Sequence, residues 1–294
     1  MPTKVEKDAI TGQETTGHEW DGLKELNTPL PKWWLYVMYA TIAFAVVWWI
    51  LYPSWPWFNT YFPGILHYSQ RKALDERMAE AAKARSGYEK QLAAASLQQI
   101  ASNPQLMAFA YAGGQAAFND NCAPCHGLGG AGQHNYPTLA DDDWLWGGSL
   151  DAIETTIKYG IRSGNPKARF NEMPAFGADK MLDQKQIDDV ATYVLSLSRK
   201  APVPSEAEAA AIKAGGVIFA EQCTACHGEG GKGNQELGAP NLTDDIWLYG
   251  GTKADIIRQI YQPRQGVMPA WEGRLDPVTI KSLTIYVHGL GGGK

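Results

Sequence analysis

Cys122-Ala-Pro-Cys125-His126 and Cys223-Thr-Ala-Cys226-His227 are one pattern, CxxCH, written twice in a single chain. Two thiols separated by two residues reach the two vinyl groups of one porphyrin, and the histidine that follows is held against the iron, so CxxCH is the attachment signature of c-type haem. A structural zinc site would need its two CxxC pairs within about 15–20 residues of each other. A thioredoxin-like dithiol would end a strand in a βαβ pattern, and two plain disulfides would leave both histidines unexplained. The chain is therefore expected to hold two covalent haem c groups through Cys122, Cys125, Cys223 and Cys226, with His126 and His227 as iron ligands. All four cysteines are used in this way.

The flanks of the two motifs repeat as well, which excludes chance duplication. Phe118 and Phe219 each stand four residues before the first cysteine, and Gly127-Leu-Gly-Gly-Ala-Gly132 answers Gly228-Glu-Gly-Gly-Lys-Gly233. Trp144-Leu-Trp-Gly-Gly148 matches Trp247-Leu-Tyr-Gly-Gly251, and Met173-Pro-Ala-Phe176 matches Met268-Pro-Ala-Trp271. Each unit reads as helix, CxxCH, glycine-rich loop, short helix, Met-bearing loop and closing helix. The closing helices carry apolar stripes at three- and four-residue spacing, Ile187, Val190, Ala191 and Val194 in the first and Ile280, Leu283, Thr284 and Val287 in the second. Each stripe is expected to pack on the Phe-bearing helix of its own unit. Pro202 and Pro204 mark a linker over 198–205.

Met173 and Met268 occupy equivalent repeat positions, each followed by proline, and are expected to be the second axial ligands, Met173 following His126 and Met268 following His227. A neutral thioether favours ferrous iron and leaves no open position for oxygen, the coordination of an electron carrier. Core filling is the reading for Met38, Met78, Met107 and Met181. His134 and His288 have no histidine counterpart in the other repeat and are read as surface or propionate-neighbouring residues.

Upstream, no Lys, Arg, Asp or Glu occurs from Trp33 to Gln70, and Trp33 to Tyr52 is nearly all apolar. Twenty residues at a rise of about 1.5 Å span a bilayer core of about 30 Å. Trp33, Trp34, Trp48, Trp49, Trp55 and Trp57, six of the chain's eleven tryptophans, lie at or beyond the ends of the run, as interfacial belts do. A cleaved signal would not follow a polar segment of this length. Residues 1–32 carry mixed charge without apolar periodicity and read as an extended segment that could order on a partner. Residues from Ser69 to about Ala101 are helix formers, with Gly87 expected to break the run. They read equally well as a solvated stalk or as a helix docking on another membrane subunit. The net charge of −5 argues against a nucleic-acid partner.

Both repeats resemble the class I cytochrome c fold. That resemblance implies that the carbonyls of Pro137 and Pro240 receive the second ring N–H of the two ligating histidines. The expected fold is all-α, a single N-terminal transmembrane helix followed by two tandem class I cytochrome c domains. The expected divisions are 1–32, a cytoplasmic N-terminal segment; 33–56, the transmembrane helix; 57–105, linker and stem helix; 106–200 and 201–294, the cytochrome domains. With Gly17-His-Glu-Trp-Asp-Gly-Leu-Lys-Glu-Leu-Asn-Thr-Pro-Leu-Pro-Lys-Trp-Trp34 added, the whole chain resembles the diheme subunit of cbb3-type cytochrome c oxidases, in its single-span form.

That resemblance implies a role, a location and partners. The subunit would sit in the bacterial inner membrane with its N-terminus cytoplasmic and its haem domains periplasmic. It would accept electrons from a periplasmic cytochrome c and relay them to the monoheme subunit and the haem-copper catalytic subunit, where oxygen is reduced and protons are pumped. The chain has neither copper ligands nor the multi-histidine membrane helices of such a centre, so it is read as a non-catalytic electron-transfer subunit. Competing readings are a free-standing membrane-anchored diheme carrier, the cytochrome subunit of a periplasmic dehydrogenase, and a diheme peroxidase, the last disfavoured by a methionine at both irons.

Overall fold

The computed structural model describes residues 4–198 and 204–291, so most of the expected linker lies outside the described residues. The chain divides into two compact units, residues 1–84 and 85–294.

In the first unit, β1 (Thr15–Trp20) and β2 (Leu23–Leu26) pair antiparallel around the two-residue turn Asp21-Gly22. Both turn residues have positive φ, 52° and 83°. The sequence predicts an extended segment here; the hairpin forms because Asp-Gly supplies the left-handed pair that matches strand twist. Next comes α1 (Lys32–Leu51), apolar on every side and with none of its residues buried by the chain. It ends five residues before the predicted limit of 56, because Tyr52 is already extended ahead of Pro53. The chain then turns back through β3 (Pro56–Trp57) and β4 (Thr60–Tyr61). Ile65 and Leu66 donate their backbone N–H groups to the carbonyls of Ile50 and Leu51, at 2.9 and 3.0 Å, satisfying the end of α1.

Helix α2 (Gln70–Ala94) runs through Gly87 without a break, contrary to the expectation. An exposed mid-helix glycine costs only about 1 kcal/mol, less than the surrounding good helix formers supply. The break comes instead at Ser96, which caps α3 (Leu97–Ser102) in a reciprocal box with Gln99: Gln99 N donates to Ser96 Oγ at 3.2 Å and Ser96 N donates to Gln99 Oε1 at 2.8 Å.

The second unit contains the C-terminal end of α2, then α3, α4 (Pro104–Asn121), α5 (Ala123–His126), α6 (Leu150–Tyr159), α7 (Gln184–Ser196), α8 (Glu206–Gln222), α9 (Thr224–His227), α10 (Lys253–Tyr261) and α11 (Pro277–His288). The end of α2 packs on the helices of its own chain. Leu92 is fully buried in a cluster with Leu97, Ile100, Leu106, Ala110 and Ile285, and Tyr88 stacks on Phe109 with ring centroids 4.9 Å apart. Lys281 on α11 donates its ammonium to the carbonyls of Leu92, Ala93 and Ala95 at 3.0, 3.0 and 2.7 Å, neutralising the negative end of that helix.

The two closing helices are exchanged relative to the expectation. The stripe of α7, Ile187, Val190, Ala191 and Val194, buries against Phe219 of α8 with Ile256 and Ile260 of α10. Ile280, Leu283 and Val287 of the α11 stripe, joined by Tyr286, bury against Phe118 of α4 with Ile153 and Ile157 of α6, and Thr284 is buried as well. Each fully buried side chain of this size contributes about 1.5–3 kcal/mol. The close crossings depend on glycine: a β-carbon on Gly114 would fall on the Ser282 carbonyl of α11, and one on Gly215 on the Asp189 carbonyl of α7. Because the repeats are chemically alike, either closing helix suits either Phe-bearing helix. The short connection from Ser196 to Glu206 favours α7 and α8 as packing neighbours, which leaves α11 for α4.

Candidate haem-binding sites

The first CxxCH motif begins just past the end of α4, where the capping residue Cys122 donates its N–H to Phe118 O at 2.8 Å. It then forms the single turn α5, with Cys125 N and His126 N both donating to Cys122 O, at 3.1 and 2.9 Å. Two thiols and one imidazole are thereby presented on one turn of helix. The second motif repeats this at Cys223, with the same 3.1 and 2.9 Å bonds from Cys226 and His227. No disulfide joins any of the four cysteines.

The glycine-rich loop then wraps beneath the imidazole. Gly132 N donates to His126 O at 2.7 Å and Leu139 N to Gly130 O at 2.7 Å, and Pro137 O lies 3.1 Å from His126 Nδ1. In the second unit Gly233 N donates to His227 O at 2.7 Å and Leu242 N to Gly231 O at 2.6 Å, with Pro240 O 3.1 Å from His227 Nδ1. A ring whose Nδ1–H donates to a carbonyl has its Nε2 lone pair free for a metal. Burial holds both imidazoles below the ordinary histidine pKa, opposed by the bond to the proline carbonyl. Burial also pushes the Cys122 and Cys223 thiols up to about 11, helped by the neighbouring cysteine of each pair.

The methionines are exchanged along with the closing helices. Met268 packs against the cluster that holds Cys122, Phe118 and Ile153, whereas Met173 packs against the cluster that holds Cys223, Phe219 and Ile256. The sequence order, Met173 with His126 and Met268 with His227, is therefore reversed in space. The same exchange fixes the loops. Met268 and Ile161, beyond the end of α6, exchange backbone hydrogen bonds of 3.0 Å each way. Gly177 and Ala178, after Met173, donate to Tyr261 O at the end of α10, at 3.2 and 3.1 Å.

Around the second motif the walls enclose a cavity of about 670 Å³, to which Met173, Cys223, Cys226 and His227 all contribute. Its volume lies in the range of about 300–1,000 Å³ typical of cofactor sites, and Phe176, Val190, Val194, Phe219, Ile256 and Ile260 give it an apolar lining. An apolar slot with two thiols, one oriented imidazole and one thioether fits a covalently attached porphyrin. His134 contributes to the rim of the same cavity and is exposed, while His288 ends α11, half-buried.

Arg162 was passed over in the sequence, although a signal was there: Tyr159-Gly-Ile-Arg162-Ser-Gly164 after α6 answers Tyr261-Gln-Pro-Arg264-Gln-Gly266 after α10. The Arg162 guanidinium donates from Nε to Gly266 O at 2.8 Å and from Nη1 to Asn171 O at 3.0 Å, reaching both methionine loops.

Two family models match the chain: the N-terminal domain of cytochrome oxidase-cbb3, FixP, over residues 12–59, and cytochrome c oxidase, cbb3-type, subunit III, over residues 109–194 and 210–287. The chain is 54% identical over 294 residues to the cbb3-type cytochrome c oxidase subunit FixP of Bradyrhizobium diazoefficiens, covering 100% of both chains. It is 51% identical over 296 residues to subunit CcoP of Azospirillum brasilense, covering 98% of this chain and 99% of that one. With subunit CcoP of Cereibacter sphaeroides it shares 45% identity over 295 residues and 100% of both chains.

Proposed function

Because the chain belongs to the cbb3-type cytochrome c oxidase subunit III family, we propose that it relays electrons within such an oxidase through two covalently held c-type haems. Cys122, Cys125, His126 and Met268 would hold the first. Cys223, Cys226, His227 and Met173 would hold the second. The observation that carries this reading is the cavity shared by Met173, Cys223, Cys226 and His227, together with Met268 and Cys122 packing against one and the same cluster.

The bound haem supplies a one-electron ferric/ferrous couple, which a thioether ligand moves to higher potential than a second imidazole would. The chain's own residues do the rest. The proline carbonyls orient the two imidazoles through Nδ1, and the apolar clusters exclude water. The stitched methionine loops would hold a thioether to each iron, coordination suited to passing electrons rather than binding oxygen. Helix α1 anchors the chain in the bacterial inner membrane with its N-terminus cytoplasmic. Electrons enter from a periplasmic cytochrome c and leave towards the monoheme and haem-copper subunits, which carry out oxygen reduction.

Gentle detergent purification of the tagged chain from its native membrane tests the assignment. A reduced-minus-oxidised spectrum with c-type and b-type haem bands together, and oxygen uptake on a reduced cytochrome donor, is expected. A spectrum of c-type haem alone, under conditions that preserve membrane complexes, would leave a free-standing carrier instead.

A further inference from the structure

Asn171 stands two residues before Met173, and Gly266 stands two residues before Met268, so the two carbonyls held by Arg162 are equivalent positions of the two repeats. One guanidinium therefore ties together the loops that present a thioether to two different haem sites. The tie is reinforced on both sides. Gln265, next to Gly266, donates its side-chain amide directly to Met173 O at 3.1 Å, and Asn171 Nδ2 donates to Leu237 O at 2.8 Å. The backbone of Arg162 is itself in the left-handed region, at φ 51°, and its N–H donates to Arg169 O at 2.8 Å. A non-glycine residue keeps that conformation only where its surroundings over-determine it. No carboxylate pairs with Arg162 among the described residues. Its fork is directed at loop carbonyls, a geometry that a lysine's single ammonium does not reproduce.

We propose that Arg162 is a positioning residue for both iron–methionine bonds at once, a clamp through which the two haem sites share one ligand-loop framework. This rests on the assignment of Met173 and Met268 as axial ligands. A thioether binds ferrous iron more firmly than ferric, so loosening a methionine loop releases the ligand first in the ferric state and lowers the potential of that haem. Loss of the clamp lowers both.

The test uses the full chain, matured with haem and purified in detergent, read by the ferric iron–thioether charge-transfer band and by redox titration. Met173→Ala and Met268→Ala are measured first: each is expected to remove about half of the band, and a band indifferent to both would refute the ligand assignment itself, whatever Arg162 does. With that assignment standing, Arg162→Gln is expected to weaken the band at both haems and shift both potentials downward. Arg162→Lys keeps the charge but not the fork, and is expected to weaken the band as well. Gln265→Ala, which frees only the Met173 carbonyl, is expected to perturb one haem. Should Arg162→Gln fail to mature, Arg162→Lys and Gln265→Ala carry the same test. An unchanged band, a change confined to one haem in the arginine variants, or a lysine variant indistinguishable from the parent would overturn the clamp.

Discussion

Ile161 and Met268 exchange two backbone hydrogen bonds of 3.0 Å, so the methionine loop of the second repeat is part of the wall of the first. The relationship has a mirror image in Gly177 and Ala178 bonding to Tyr261 O. Neither candidate site is built from one continuous stretch of chain, and each half of the second unit requires the other to complete its core.

Neighbouring glycines on α4 should respond in opposite directions. Gly114→Ala drives a methyl group into the Ser282 carbonyl and should lower stability by about 1–3 kcal/mol through forced separation of α4 and α11. Gly113→Ala meets nothing nearer than Ser282 Oγ at 3.9 Å and should be neutral or stabilising by up to about 1 kcal/mol, since it removes a mid-helix glycine. Thermal unfolding of the two matured variants checks the contrast.

Lys281→Met removes the cation that three carbonyls of the chain around α2's end share. Hydrogen bonds from a charged donor contribute about 1.5–3 kcal/mol, so local opening should become more frequent. Faster amide hydrogen exchange over residues 88–95 is expected, with the haem spectrum unchanged.

Asp143 provides a pH signature. Burial first, then the Asp244 and Asp141 carboxylates, push its carboxyl up to about 6 from an ordinary value of 3.8. Between those values the unfolded chain releases the proton while the folded chain keeps it. Stability therefore falls as pH rises from about 4 to about 6 and stays reduced above that. Asp143→Asn should flatten this part of the stability profile and gain roughly 1 kcal/mol at neutral pH, a figure discounted for solvent screening at a half-exposed group. Denaturant titrations at a series of pH values check the slope; a variant that keeps the parent's slope would assign it to other groups.

The local geometry of the candidate sites was legible in the sequence because two cysteines and a histidine at CxxCH spacing share one helical turn. The proline carbonyls beneath the two rings were expected from the resemblance to class I cytochromes c, and they stand there. The apolar run from Trp33 was also legible locally, as α1 needs no partner within the chain to satisfy its backbone. What escaped was non-local. The stripes of α7 and α11 are interchangeable by pattern, so only the short connection between α7 and α8 distinguishes the two pairings. Gly87 was read as a breaker on its own preference, although one glycine does not outweigh a long run of helix formers. The β1–β2 hairpin did have a local signal, Asp21-Gly22, which the mixed charge around it obscured.

The exchange of methionines is tested most directly in a variant that retains a single haem. With Cys223→Ser and Cys226→Ser removing the second attachment site, only the haem at Cys122 and Cys125 remains. Substituting Met268 by alanine in that background should abolish the iron–thioether charge-transfer band, and substituting Met173 should leave it intact. The reverse pattern, with the band lost on substitution of Met173 and kept on substitution of Met268, would contradict the exchanged assembly and restore two sequentially self-contained domains.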